Sequence, residues 1–358
     1  MSNEKNLQSE INEKGYKWKY GTTSLSDLSN NEKKARLGLK VEKAELDATA
    51  KAIQAATDLQ ALSIAVALPA SVDWRNKGGD WTTPIRDQGS CGSCVAFATV
   101  ATLEARINIA CKNSNLDKDL SEAHLFYCGC GNCCNTGWNF APALTFCKNT
   151  GVGLESSFPY TPGNQPCKAG VSPYVKIMGY SSALTMTDRK NILVNKGPMV
   201  GGMAVYSDFF GYTGGVYRHV SGSLQGYHAI CVVGYNDEEK CWICKNSWGT
   251  GWGDNGWFKI GYGECLIDTS FAFYDVELSC PQPTDPCKKY VPYLRKVLSA
   301  AYNNPRLKAC LCYYICRTGK RPRATFTDLM ITRQVYLILR RCPKYRLPFC
   351  RLLRCTSY

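Results

Sequence analysis

Gln88-Gly89-Ser90-Cys91-Gly92-Ser93-Cys94-Val95-Ala96-Phe97 is the stretch on which the reading of this chain turns. Glycines and small polar residues run straight into an apolar segment, and its pattern predicts a helix over 94–110. Cys94 then sits in the first helical turn. A thiol there lies beside unpaired backbone N–H groups and the positive end of the helix dipole, which favour thiolate. The same N–H groups can hold a tetrahedral oxyanion, with the Gln88 side-chain amide as a second donor. Cys91 is badly placed for chemistry but suited to a disulfide that pins the loop.

A thiolate needs a base, and the chain has three histidines. His124 lies mid-helix among apolar residues, where a structural role is expected. His219 follows Arg218 in a turn-rich stretch and is expected to be solvated. His228 opens the apolar run His-Ala-Ile-Cys-Val-Val-Gly-Tyr, at an element end where a side chain can face a cleft. Further on stands Lys245-Asn246-Ser247-Trp248-Gly-Thr-Gly-Trp252-Gly-Asp-Asn-Gly256. Asn246 can accept from the imidazole N–H and fix its tautomer, and Trp248 can shield that bond from water.

The order Cys, His, Asn, their spacing and both local motifs resemble the papain/cathepsin family of cysteine peptidases, across residues 69–270. Leu68-Pro-Ala-Ser-Val-Asp-Trp-Arg75 is similar to that family's mature N-terminus, and Leu120-Ser-Glu to the start of its second helix. Cys134-Asn135-Thr136-Gly137 resembles its Cys-Asn-Gly-Gly substrate turn. The resemblance implies Cys94 as nucleophile, His228 as general base then acid, Asn246 as orienter and Gln88 as oxyanion donor. It also implies Gly137 as a backbone clamp on substrate, with Thr136, Tyr227 and Trp248 around it. The pairs Cys91–Cys134 and Cys128–Cys167 follow from the same likeness. The implied fold is α+β and two-lobed, a helical left lobe beside a β-barrel-like right lobe. No metal or cofactor is called for.

Several positions depart from the family pattern. Val95 follows the nucleophile where Trp is usual, and Thr136 replaces a glycine. Tyr227 precedes the histidine where papain has an acid, and Cys265 lacks the partner it has there. The short N-terminal stretch with Trp18-Lys-Tyr-Gly-Thr-Thr-Ser-Leu is more similar to the pro-segments of prokaryotic relatives than to long cathepsin pro-regions.

Charge and cysteine divide the chain the same way. Residues 281–358 hold 17 Lys and Arg against 2 Asp and Glu, a balance of +15, while the whole chain carries +14. Residues 1–90 contain no cysteine, 13 lie between Cys91 and Cys265, and 8 between Cys280 and Cys355. An odd total of 21 leaves at least one thiol unpaired within the chain, as a nucleophile must be. Three segments result. Residues 1–68 are polar and helical, with a helix over 41–57, and are expected to be an autoinhibitory pro-segment cut within 64–68. Residues 69–280 form the catalytic domain. Residues 281–358 form a small, basic, Cys-stabilised all-α extension, with helices over 290–301, 305–316 and 327–342 and caps at Asn304 and Thr327.

Cys128, Cys130, Cys133 and Cys134 suit disulfides or a zinc knot, with disulfides preferred. Cys241-Trp-Ile-Cys244 has redox spacing in a strand pattern that favours buried structural thiols. The basic extension is either a solvated face or a surface for anionic polymer, cell wall or membrane; nucleic acid is the poorer partner, since no motif accompanies the charge. The apolar run over 59–70 is too short to span a bilayer, and the polar N-terminus shows no signal peptide. Cysteine usage fits an extracytoplasmic location. The function expected is cysteine endopeptidase, acting on protein or peptide. The alternatives are a catalytically silent papain-fold binding protein and an amide or acyl transferase.

Overall fold

The computed structural model describes residues 2–61, 67–116, 118–281, 290–318 and 321–355. The chain forms two compact units, residues 1–281 and 282–358. Among the described residues no helix is long and apolar enough to cross a membrane.

The first unit opens with α1 (Ser2–Glu13), the short strand β1 (Lys19–Tyr20), α2 (Asn30–Lys34) and α3 (Lys43–Gln60). These elements lack a core of their own and use that of the body. Ile11, Trp18 and Leu25 are buried against Phe209, Tyr212 and Tyr217, and β1 pairs with β5 (Tyr212–Gly214). The expected cut within 64–68 falls largely outside the described residues.

After β2 (Ser71–Asp73) the chain builds a helical lobe from α4 (Cys94–Ala110), α5 (Glu122–Gly129) and α6 (Phe140–Asn149). Helix α4 runs over the residues that the sequence predicts and is buried on nearly every side, as its apolar sequence requires. Disulfides Cys91–Cys134, Cys128–Cys167 and Cys130–Cys133 tie this lobe, and Cys111–Cys280 ties the end of α4 to the end of the unit. The four cysteines that could have made a zinc knot are all spent in these bonds.

The second lobe adds β3 (Gly179–Ala183), α7 (Met186–Asn195), β4 (Met199–Tyr206), β6 (Val216–Tyr217), β7 (Leu224–Asn236), β8 (Cys241–Lys245), β9 (Trp257–Gly261) and β10 (Phe273–Glu277). Strand order is β3-β10-β4-β7-β8-β9-β6, antiparallel except for β6 beside β9, with β2 also paired to β7. Its core stacks Trp242, Trp248, Trp252, Phe209 and Phe258. Each lobe therefore has its own core, which gives the two-lobed α+β fold. Cys231, Cys241, Cys244 and Cys265 stay reduced and buried in the sheet lobe, where large aromatics already fill the interior.

Strand β7 lies against α4, with the Thr102 hydroxyl donating to the Cys231 sulfur at 3.3 Å. That contact joins the middle of α4 to β7, and at the start of the helix Cys94 meets Ala229 and so lies beside His228.

In the second unit, α8 (Val291–Tyr302), α9 (Pro305–Leu311), α10 (Phe326–Arg341) and α11 (Arg346–Leu353) surround a small core of Leu294, Val297, Leu307, Val335 and Leu339. Cys312–Cys355 and Cys316–Cys350 staple it. Asn304 caps α9 through the Leu307 N–H as expected. The cap of α10 is Thr325 rather than Thr327, because Thr325 and Asp328 form a reciprocal capping box. The expected helix over 305–316 ends as α-helix at Leu311 and continues as a π-turn to Cys316. Helix α11 is not among the helices expected from the sequence.

Candidate active site

Residues 88–93 wrap tightly before α4. A Cβ on Gly92 would meet the Cys134 carbonyl at 2.8 Å, so only glycine lets the disulfide-pinned turn close. Cys94 is the first residue of α4 and is fully buried. Its sulfur accepts from the Ala229 N–H at 3.4 Å.

His228 projects from β7, opposite Met203 on β4. Its Nε2 lies 2.7 Å from Asn246 Oδ1, so Nε2 carries the proton in that bond and Nδ1 is the free base. Nδ1 is buried without a well-formed hydrogen bond, on the residue next to the N–H that touches the Cys94 sulfur. Asn246 Oδ1 also accepts from the Ser247 N–H at 2.8 Å, which holds the amide in this orientation. The Trp248 ring packs on the imidazole at 4.7 Å between centroids and is itself fully buried. It therefore shields the His–Asn bond from water, and with residues 36–40 in place its ring is not exposed.

Gln88 is fixed at both ends. Its Oε1 accepts from the Ser247 hydroxyl at 2.7 Å, and its Nε2 donates to the Cys91 carbonyl at 2.8 Å and to the Arg36 carbonyl at 3.0 Å. The third contact comes from the N-terminal segment. Residues 36–40 cross the cleft, leaving a turn at Arg36 and forming an isolated β-bridge between Leu39 and Trp138. Leu39 N–H donates to the Tyr227 carbonyl at 3.2 Å, Trp138 N–H to the Gly38 carbonyl at 2.8 Å, and Lys40 N–H to the Trp138 carbonyl at 2.9 Å. Gly38 passes so close to Gly92 and Gly137 that a Cβ on Gly38 would run into the Gly92 carbonyl, and one on Gly137 into the Gly38 carbonyl. Arg36 anchors the crossing on Asp87 at 2.6 Å.

This covering sets the electrostatics. Burial pushes the Cys94 thiol up to about 11, against the pull of the Ala229, Gly38 and Val95 backbone N–H groups. Burial likewise pushes His228 down to about 4, although the hydrogen bond to Asn246 and the nearby Arg36 carbonyl favour the charged form. With the cleft closed, desolvation outweighs the helix dipole, and the pair rests as neutral thiol and neutral imidazole.

Gly137 and Tyr227 thus touch the crossing segment through backbone, while Thr136 lies exposed on its turn. His124 is buried, its Nδ1 accepting from the Gly153 N–H at 3.1 Å. His219 is not solvated as expected. Its Nδ1 lies 3.1 Å from both Asp208 oxygens and its ring stacks on Tyr206, because Asp208, eleven residues earlier, is buried at the base of the same loop.

Sequence reasoning missed Ser247, though it stands inside the quoted motif. It also missed the buried set behind Asn246, where Lys245 Nζ donates to the Thr83 hydroxyl at 2.9 Å and Thr83 in turn donates to Glu104. Burial raises the Glu104 and Glu122 carboxyls and lowers Lys245. Only a reading that paired Lys245 with a helix glutamate could have found this set.

Known proteins resemble this chain in both sequence and structure. Residues 68–274 match the family described as papain family cysteine protease. Cysteine proteinase 2 of Entamoeba histolytica is 37% identical over 206 residues, covering 54% of this chain and 63% of that protein. Cysteine proteinase 1 of the same organism is 35% identical over the same shares. The chain thus spans less than two thirds of the length of these curated relatives. Among solved structures, procathepsin B S9 of Trypanosoma congolense superposes with a TM-score of 0.63 at 26% identity, covering 77% of this chain and 98% of that one. Digestive procathepsin L2 of the Tenebrio molitor larval midgut gives 0.61 at 26%, covering 76% and 88%. On its sequence match over more than half its length, this chain belongs to the papain family of cysteine proteases.

Proposed function

We propose that the chain is a cysteine endopeptidase held in zymogen form by its own N-terminal segment. The observation that carries this is the directed pair. His228 Nε2 is engaged by Asn246, leaving Nδ1 as the base for a thiol at the first turn of α4. Once the cleft is open to a peptide, His228 Nδ1 takes the Cys94 proton and the thiolate attacks the scissile carbonyl. The Gln88 amide and the N–H groups at the start of α4 stabilise the oxyanion. His228 then protonates the leaving amine, giving a thioester. Water, deprotonated by His228, cleaves that thioester and restores the thiol.

The crossing segment supports the zymogen reading, because the Arg36 carbonyl occupies the Gln88 amide that an oxyanion needs. Leu39 is buried beside Phe271 over Gly202, which supports a bulky apolar side chain at that point of a substrate. Procathepsins among the structural neighbours point the same way. The basic unit 282–358 is read as a module that docks on anionic surfaces, supported by its charge alone.

Turnover of a fluorogenic peptide by the processed protein tests the chemistry. Activity should appear after incubation in mild acid with reductant, as residues 1–67 are cut away, and should be absent in Cys94→Ala. Full activity in Cys94→Ala would refute the assignment.

A further inference from the structure

The C-terminal unit carries two features that peptide hydrolysis does not use. Asp328 is the only acidic side chain among residues 290–355, and it is buried and engaged in capping α10. The described charged surface of this unit is therefore all Lys and Arg. The second feature is α10 itself. Thr332, Val335 and Leu339 face inward and are buried. The opposite face of a helix that merely meets water should be polar. Instead Phe326, Leu329, Met330, Tyr336 and Leu337 recur at helical spacing and stay 40–79% exposed. Scattered exposed apolar residues are ordinary, but five on one stripe of a 16-residue helix are not. Arg333 falls on the same stripe, and with Tyr314, Leu329 and Tyr336 it lines a groove of about 320 Å³.

We propose that α10 is an interfacial helix that lays this stripe into the surface of an anionic lipid bilayer. The proposal rests on the reading of the unit as an anionic-surface module and makes it specific. A bilayer surface answers both features together: acyl chains receive the apolar side chains, and headgroup phosphates meet the exposed Arg333, whose long stem can lie among those side chains while its guanidinium reaches the headgroups. A soluble polyanion answers the charge and leaves the stripe in water. A second copy of the chain would cover the stripe but would press together two surfaces without a described exposed carboxylate. The protease would then act on proteins at a membrane surface, its substrates concentrated by location.

The test uses the full-length protein and the variant Phe326→Ser/Leu329→Ser/Leu337→Ser. Sedimentation is measured with vesicles of phosphatidylcholine alone and of phosphatidylcholine mixed with phosphatidylglycerol, and elution from heparin beads serves as the charge-only arm. The wild type should bind the mixed vesicles and not the neutral ones. The triple variant should bind them at least about tenfold more weakly, while leaving heparin at the same salt as wild type. Because the changed side chains are exposed, its melting temperature should match; if it falls, Phe326→Ser alone gives the same comparison. Unchanged vesicle binding by the variant overturns the insertion and leaves the charge reading standing. Wild-type binding to neither vesicles nor heparin overturns both. Equal binding to neutral vesicles refutes the anionic requirement. A dimer that the triple substitution dissolves assigns the stripe to a second copy and overturns the proposal.

Discussion

The machinery of the cleft and the segment that covers it are built in opposite ways. Cys94, His228, Asn246 and Gln88 are side chains on α4, on β7 and on the loops entering α4 and leaving β8, each oriented by a further hydrogen bond or a disulfide. Residues 36–40 engage mainly through backbone, on three backbone–backbone hydrogen bonds and two more that their carbonyls accept from the Gln88 and Asn139 side chains, and their closest approach is a glycine stacked on glycines. Side chains held by rigid elements give directed chemistry. A backbone segment gives occupancy that can be removed. On the proposed reading, the side-chain site and the backbone that covers it can be altered independently of one another.

Breaking the machinery should have the largest effect. Cys94→Ala should lower kcat of the processed protein by ~10⁴-fold or more in a fluorogenic peptide assay. His228→Ala should come close to it, because both thiolate formation and leaving-group protonation pass through that ring. Asn246→Ala keeps the ring and loses only its orientation, so a loss of about 10²-fold with residual turnover is expected in the same assay.

Breaking the cover should act in the opposite direction. Gly38→Ala places a methyl against the Gly92 carbonyl, an overlap of the kind that costs ~1–3 kcal/mol. The unprocessed protein should then gain peptide turnover about tenfold or more, while the processed form, which lacks residue 38, is unchanged.

Acid sharpens the comparison. Burial under the cover holds His228 down at about 4, against ~6.5 for a histidine in water. Between those values the open form binds a proton that the covered form does not, so acidification favours opening. The cover contributed by this group is fully present above pH ~6.5 and is lost as pH falls toward 4. From this residue alone, opening at pH ~5 should exceed that at pH ~7 by about twentyfold. Hydrogen exchange of the Leu39 and Lys40 amides in Cys94→Ala, which cannot process itself, checks this.

One side of this contrast is legible in the amino-acid sequence and the other is not. The Gly-Ser loop running into an apolar helix places Cys94 correctly, because both signals are local. The capping box of α10 is also local, yet Thr327 competes with Thr325 as a cap, two residues from the true pair. The crossing segment leaves no such signal. Residues 31–40 show only as charged, and their path is imposed by Gly92, Gly137 and Tyr227, far away in sequence. The setting of His219 is hidden for the same reason, since the buried Asp208 that holds it leaves no local pattern. Helix α11 is obscured by Pro348 within its first turn, a position where proline is tolerated.

On the proposed reading Cys94 is a nucleophile silenced only by being covered. Full-length and processed protein are each incubated near neutral pH with an epoxide that traps activated thiols, and the adducts are mapped by mass spectrometry. The expected result is one adduct on the processed chain, at Cys94, formed faster than on free cysteine, and none on the full-length chain over the same time. Labelling of another cysteine in place of Cys94, or equal labelling of Cys94 in both forms, would contradict the claim.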